Sequence, residues 1–76
     1  MKEELLIFCR NVAWIKQRYR LTNRQMAEIL GVGEGSVRKV LSGEIPERLS
    51  AQVIIRLAKR FSYRPSEWFL PLYEKE

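Results

Sequence analysis

The sequence predicts an all-α domain, and three observations carry that prediction. Apolar residues recur at spacings of three and four through successive segments, the period of a helix face and not of a strand. Gly31, Gly43, Pro46 and Pro65 fall between those segments, where helices stop and start. No stretch alternates apolar with polar residues, and no internal repeat or low-complexity run interrupts the chain. At 76 residues and 46% hydrophobic, the chain has room for one domain over residues 1–76 and one core. It is too short for a second folded unit and too apolar for a disordered tail.

Taken in order, Leu5, Phe8, Cys9, Val12, Ile15 and Tyr19 form the stripe of a first helix over residues 3–19. Arg10, Trp14 and Arg18 lie on its other face at intervals of four, so both guanidinium groups can sit over the indole. Trp14 is also a candidate contact with another protein. Thr22 is an N-cap with Gln25 at the third helical position, the reciprocal pattern that satisfies two otherwise orphaned backbone donors. The second helix runs from there to Leu30, with Met26, Ala27 and Leu30 inward. Gly31 follows as a left-handed stop, and Val32 returns to the core.

Val37, Val40 and Leu41 predict a third helix over 34–42, ended by Gly43, with Gly35, Arg38, Lys39 and Ser42 facing outward. The segment "GEIPERL" is a loop. Ser50 caps a fourth helix with Val53, Leu57, Ala58 and Phe61 inward and Arg56, Lys59 and Arg60 toward solvent. After a break at Tyr63 and Arg64, Pro65 suits the first position of a fifth, short helix. There Glu67 complements the dipole and Trp68, Phe69 and Leu72 supply apolar surface. Cys9, Tyr19, Phe61, Tyr63 and Trp68 are expected to pack in the core. Phe69, Leu70, Leu72 and Tyr73 are more than a domain this small is expected to cover, which points to a dimer contact through the fifth helix.

Composition narrows the function. With one cysteine and no histidine, an intrachain disulfide is excluded and the sulfur and nitrogen ligands usual for zinc are missing. The longest apolar run, Leu5 to Cys9, is far below the roughly 20 residues that span a bilayer, and its charged flanks do not resemble a secretory signal. The expectation is a cytoplasmic chain with a reduced thiol and no membrane partner. Glu34, Glu44, Glu47 and Glu67 fall on caps and loops without a convergent partner, so neither an enzyme nor a cofactor is expected. Fourteen Lys and Arg against nine Asp and Glu give a net charge of +5, which favours a polyanion, nucleic acid before anionic membrane. A merely soluble basic surface is the plain alternative.

The stretch "LGVGEGSVRKVLSG" sets Gly31, Gly33 and Gly35 at alternate positions. A dinucleotide fingerprint needs a third glycine where Ser36 stands, and a strand where a helix precedes. A Walker loop needs a Gly-Lys pair, which the chain lacks. The glycines are therefore read as turning the chain between two short helices, the second with a basic outward face.

"LTNRQMAEILGVGEGSVRKVLSG" resembles the helix-turn-helix of the lambda repressor, Cro (Cro/C1-type) and Xre family. Ala27, Gly31, Val32, Val37 and Val40 carry the likeness, with Leu21 and Thr22 before them and Gly43 behind. "LAKRFSYRPSEWF" resembles the family's closing segment. The resemblance implies a five-helix lambda repressor-like DNA-binding domain, with its helix-turn-helix unit over 22–43 formed by the second and third helices. It further implies transcription regulation, most simply by a repressor acting as a homodimer on double-stranded DNA. By position, Asn23 and Arg24 would lie at the phosphates, Asn23 alternatively buttressing the recognition helix. Glu34, Gly35, Ser36, Arg38 and Lys39 would face base edges or nearby phosphates, and Ser42, Arg48 and the chain after Gly43 would grip the backbone. Arg38 can place two donors on guanine, Ser36 can bond to several bases, and Lys39 suits a phosphate.

Three positions depart from the family pattern. Gly33 stands where a capping Ser or Thr is usual. Glu34 is acidic where a neutral or basic residue is common, either accepting from cytosine or complementing the helix dipole. Leu41 takes a place where Glu is frequent and is expected to join the core. A second expectation uses the same fold as an antitoxin or adaptor, with Trp14 and the C-terminal aromatics holding a protein partner such as a toxin.

Overall fold

A computed structural model describes residues 2–45 and 51–74. The loop expected around Pro46, the expected cap Ser50 and the candidate contact Arg48 lie outside the described residues. Within them the chain is all-helical: α1 (Lys2–Arg18), α2 (Asn23–Leu30), α3 (Glu34–Leu41), α4 (Ala51–Phe61) and two 3₁₀ turns, Pro65–Phe69 and Leu72–Glu74, with no strand. No helix among the described residues is long and apolar enough to cross a membrane.

α1 is the spine of the packing. Phe8, Cys9, Val12 and Ile15 are buried along one face, and the helix meets α3 on one flank and both 3₁₀ turns on the other. α2 packs against α3 and α4, and α4 closes on the first 3₁₀ turn. Met26, Ala27, Leu30, Val37, Val40, Val53, Leu57 and Phe61 complete the buried apolar set from these helices, at the positions that the helical period assigns. Leu41 and Val32 are half-buried against this core. Cys9 is a packing residue, its Sγ 4.0 Å from the Glu44 carbonyl oxygen, and burial pushes the thiol pKa up. Burial thus disfavours the thiolate, the form in which a cysteine reacts.

The end of α1 depends on an unusual residue. The Leu21 N–H donates to the Lys16 carbonyl and the Arg20 N–H to the Gln17 carbonyl, the paired bonds of a Schellman turn. Arg20 holds the left-handed position at φ 53, where a Cβ crowds the following carbonyl. Ser62 does the same after α4 at φ 61. Arg20→Gly is expected to raise stability by about 0.5 to 1 kcal/mol, the relief of strain less glycine's larger unfolded-state entropy. An increase in the urea midpoint at unchanged slope checks it.

The fifth α-helix expected from Pro65 onward is instead a 3₁₀ turn, Pro65–Phe69. Its start follows expectation, with Pro65 at the beginning and the Glu67 carboxylate accepting from the Arg64 N–H. Its end is set by Pro71, whose ring forces the preceding residue out of helical geometry. Leu70 is extended at φ −115, ψ 146, and the chain resumes only in the short Leu72–Glu74 turn.

This tail is anchored by a residue the apolar pattern passes over. Asn11 is fully buried on α1. Its Nδ2 donates to the carbonyls of Trp68 and Leu70, both at 2.8 Å, and the Leu72 N–H donates to its Oδ1 at 3.0 Å. Both amide hydrogens and the oxygen are thus used, which fixes the amide's orientation. Trp68 is inserted alongside, fully buried and edge-on to Phe61 and Tyr63, while Phe8 stacks on Phe69 at 5.6 Å.

The expected core is corrected at its margin. Tyr19 is 51% exposed, resting against Phe61 at 5.3 Å, because α1 ends before it. Among the four C-terminal residues thought too many to cover, Leu72 is buried, Phe69 and Tyr73 are half-buried, and only Leu70 is exposed. The argument for a dimer contact from surplus apolar surface is correspondingly reduced to Leu70.

Candidate nucleic-acid interface

α2 is a finished helix. The Thr22 hydroxyl accepts from the Gln25 N–H, and the Gln25 side chain accepts from the Thr22 N–H, the capping box expected from the sequence. At its other end Gly31 adopts φ +73, and the N–H groups of Gly31 and Val32 both donate to the Ala27 carbonyl. The chain then enters α3 three residues later.

Of the three alternate glycines, only Gly31 makes the turn. Gly33 sits at φ −81, ψ 163, the ordinary extended geometry of an N-cap, and nothing lies within 4 Å of where its Cβ would stand. Gly35 is helical. Gly33 provides no side-chain cap, so the first amides of α3 lack the partner that Thr22 gives to α2. Glu34, in the first turn, complements the positive end of the helix dipole.

α3 presents one face inward and one outward. Val37 and Val40 are buried, which fixes its rotation. Glu34, Gly35, Arg38, Lys39 and Ser42 are exposed, and Ser36 is half-buried. The Arg38 guanidinium lies back over Gly35, 3.9 Å from where a Cβ would be. The Ser42 hydroxyl donates to the Lys39 carbonyl at 2.9 Å, so it offers a ligand only its acceptor lone pairs. Arg38 and Lys39 also occupy the last turn of α3, where a cation is favoured with or without a ligand.

Asn23, half-buried, and Arg24, exposed, begin α2. Arg24 lies 3.9 Å from Glu28 one turn on, both side chains in solvent, a contact worth little and easily exchanged for another anion. The structure therefore gathers Glu34, Gly35, Arg38, Lys39 and Ser42 on one outward face and sets Asn23 and Arg24 at the start of the adjoining helix.

Two cations were missed by reading the sequence for site residues. Lys16 and Arg20 line an open depression with Ala13, Gln17, Leu21 and Leu41, at the junction of α1 with the end of α3. No local pattern announces them, because their position depends on how α1 crosses α3. Of the two guanidiniums expected over Trp14, that of Arg18 lies 5.4 Å from the ring centroid, and no such contact joins Arg10 to it among the described residues. The C-terminal aromatics offered to a protein partner are largely spent internally, Trp68 wholly so. No family model, curated protein or solved structure matches this chain.

Proposed function

We propose that this chain is a sequence-specific double-stranded DNA-binding regulator of the lambda repressor, Cro and Xre type, most simply a repressor, which reads the major groove with α3. The observation that carries the reading is the exposed face of Arg38 and Lys39 on a helix whose rotation is fixed by buried Val37 and Val40. An α-helix fits the major groove, and an arginine there can pair with guanine O6 and N7. A capped α2 ahead of the turn, with Asn23 and Arg24 at its start, supplies donors and charge suited to phosphate. Lys16 and Arg20 extend the cationic surface beside the end of α3. Two copies would set their α3 helices on half-sites about 34 Å apart. The use of the fold as an antitoxin or adaptor is disfavoured by the full burial of Trp68, one of the aromatics it would present to a partner.

Selection from a random duplex pool at two salt concentrations tests the reading. A recovered consensus that persists at the higher salt is expected, and recovery of no preferred sequence would overturn it. Arg38→Ala is expected to cost about 1 to 3 kcal/mol on the selected duplex and to relax preference at one base position. Lys39→Ala is expected to weaken every duplex alike and to lower the salt slope by about one. Equal loss of preference from both substitutions would show the roles to be misassigned.

A further inference from the structure

α2 ends without a basic residue of its own in the last turn, and its final carbonyls carry the negative end of the helix dipole. α4 supplies what α2 lacks. The Arg56 Nε donates to the Ile29 carbonyl at 2.9 Å, and its Nη2 donates to the Glu28 carbonyl at 3.1 Å. The same guanidinium lies against the turn itself: a Cβ on Gly31 would come within 3.1 Å of Nε and 3.2 Å of Cζ. Gly31 therefore serves twice, giving the left-handed φ of +73 and the space that lets a planar group lie flat on the backbone.

From this geometry we infer that Arg56 is a positioning residue, which bolts the α2–α3 turn to α4 and so sets the angle at which α3 is presented. The inference rests on the reading of α3 as the DNA-reading helix and gives that reading a determinant outside the helix-turn-helix unit. Two features make α3 depend on such a bolt. It is only eight residues long, and its N-cap has no side-chain hydrogen bond, so its direction comes from the preceding turn and from Val37 and Val40. Lys59 and Arg60 line the same shallow depression with Ile29 and Arg56 but reach no α2 carbonyl. Lys59 thus carries the same charge one turn away without the two bonds, and it is the internal control.

The experiment compares Arg56→Gln, Arg56→Lys and Lys59→Gln in the full chain. In the free protein, Arg56→Gln is expected to speed hydrogen exchange at the Gly31 and Val32 amides about tenfold, leaving Val12 and Ile15 unchanged. Residual dipolar couplings should report a changed α2–α3 angle. Arg56→Lys should recover only part of the protection, because an ammonium lacks the planar fork. Lys59→Gln should change neither exchange nor couplings.

On duplexes taken from the selection, Arg56→Gln should lower the ratio of specific to random-sequence affinity about tenfold at an unchanged salt slope. Unaltered exchange and couplings in Arg56→Gln would overturn the inference. So would a uniform loss on all duplexes with the slope reduced by about one, the signature of a direct phosphate contact. If the wild-type chain prefers no duplex, the DNA-binding reading fails by itself, and exchange and couplings alone decide the role of Arg56.

Discussion

Asn11→Ala is expected to destabilise the domain by about 3 kcal/mol or more, although the substitution removes only one small amide from a helix that alanine itself favours. The reason lies in what stays behind. Without the side chain, the carbonyls of Trp68 and Leu70 and the N–H of Leu72 lose their partner. A polar group left buried and unbonded costs about 1 to 3 kcal/mol. An apolar replacement of similar size fares no better, since Asn11→Leu leaves the same backbone groups stranded. Asn11→Asp keeps the acceptor for Leu72 but sets a carboxylate against two carbonyls. Urea unfolding followed by circular dichroism measures the loss. A change below about 0.5 kcal/mol would show that the tail does not need its anchor.

Trp68→Ala is expected to cost about 3 to 5 kcal/mol, the range for removing a large buried aromatic. That is a large share of the about 5 to 15 kcal/mol that holds an ordinary domain folded. Its ring fills the space between α1, α4 and the tail, edge-on to Phe61 and Tyr63. Trp68→Phe separates ring from polar tip. The indole Nε1 is buried with no hydrogen-bond partner among the described residues, so phenylalanine gives up no bond there and keeps much of the packing. The phenylalanine variant should lie at least about 1.5 kcal/mol closer to wild type than the alanine variant. Equal losses in the two would place the effect in something other than ring volume.

Much of this fold was legible because its causes are local. Thr22 and Gln25 announce the start of α2, Gly31 and Gly43 announce two ends, and the spacing of Val37 and Val40 fixes which side of α3 looks outward. The exposure of Arg38 and Lys39 follows from that spacing alone. What escaped has partners remote in the chain or geometry foreign to the residue type. Arg20 and Ser62 end helices in a conformation that their side chains do not advertise. Asn11 on a helix flank looks like any solvated amide until residues 57 to 61 positions downstream come to meet it. Arg56, Lys59 and Arg60 are alike in sequence, and only the crossing of α4 over the end of α2 singles out Arg56. Pro71 is the local signal that was passed over, since the residue before a proline already forbids a longer fifth helix.

The anchoring of the tail also bears on how the domain comes to be made. A ribosome releases Asn11 long before Trp68, Leu70 and Leu72, so the first helix emerges with an amide that has nothing to bind inside the nascent chain. The spine of the molecule must wait, wet and incomplete, until that distant segment is translated.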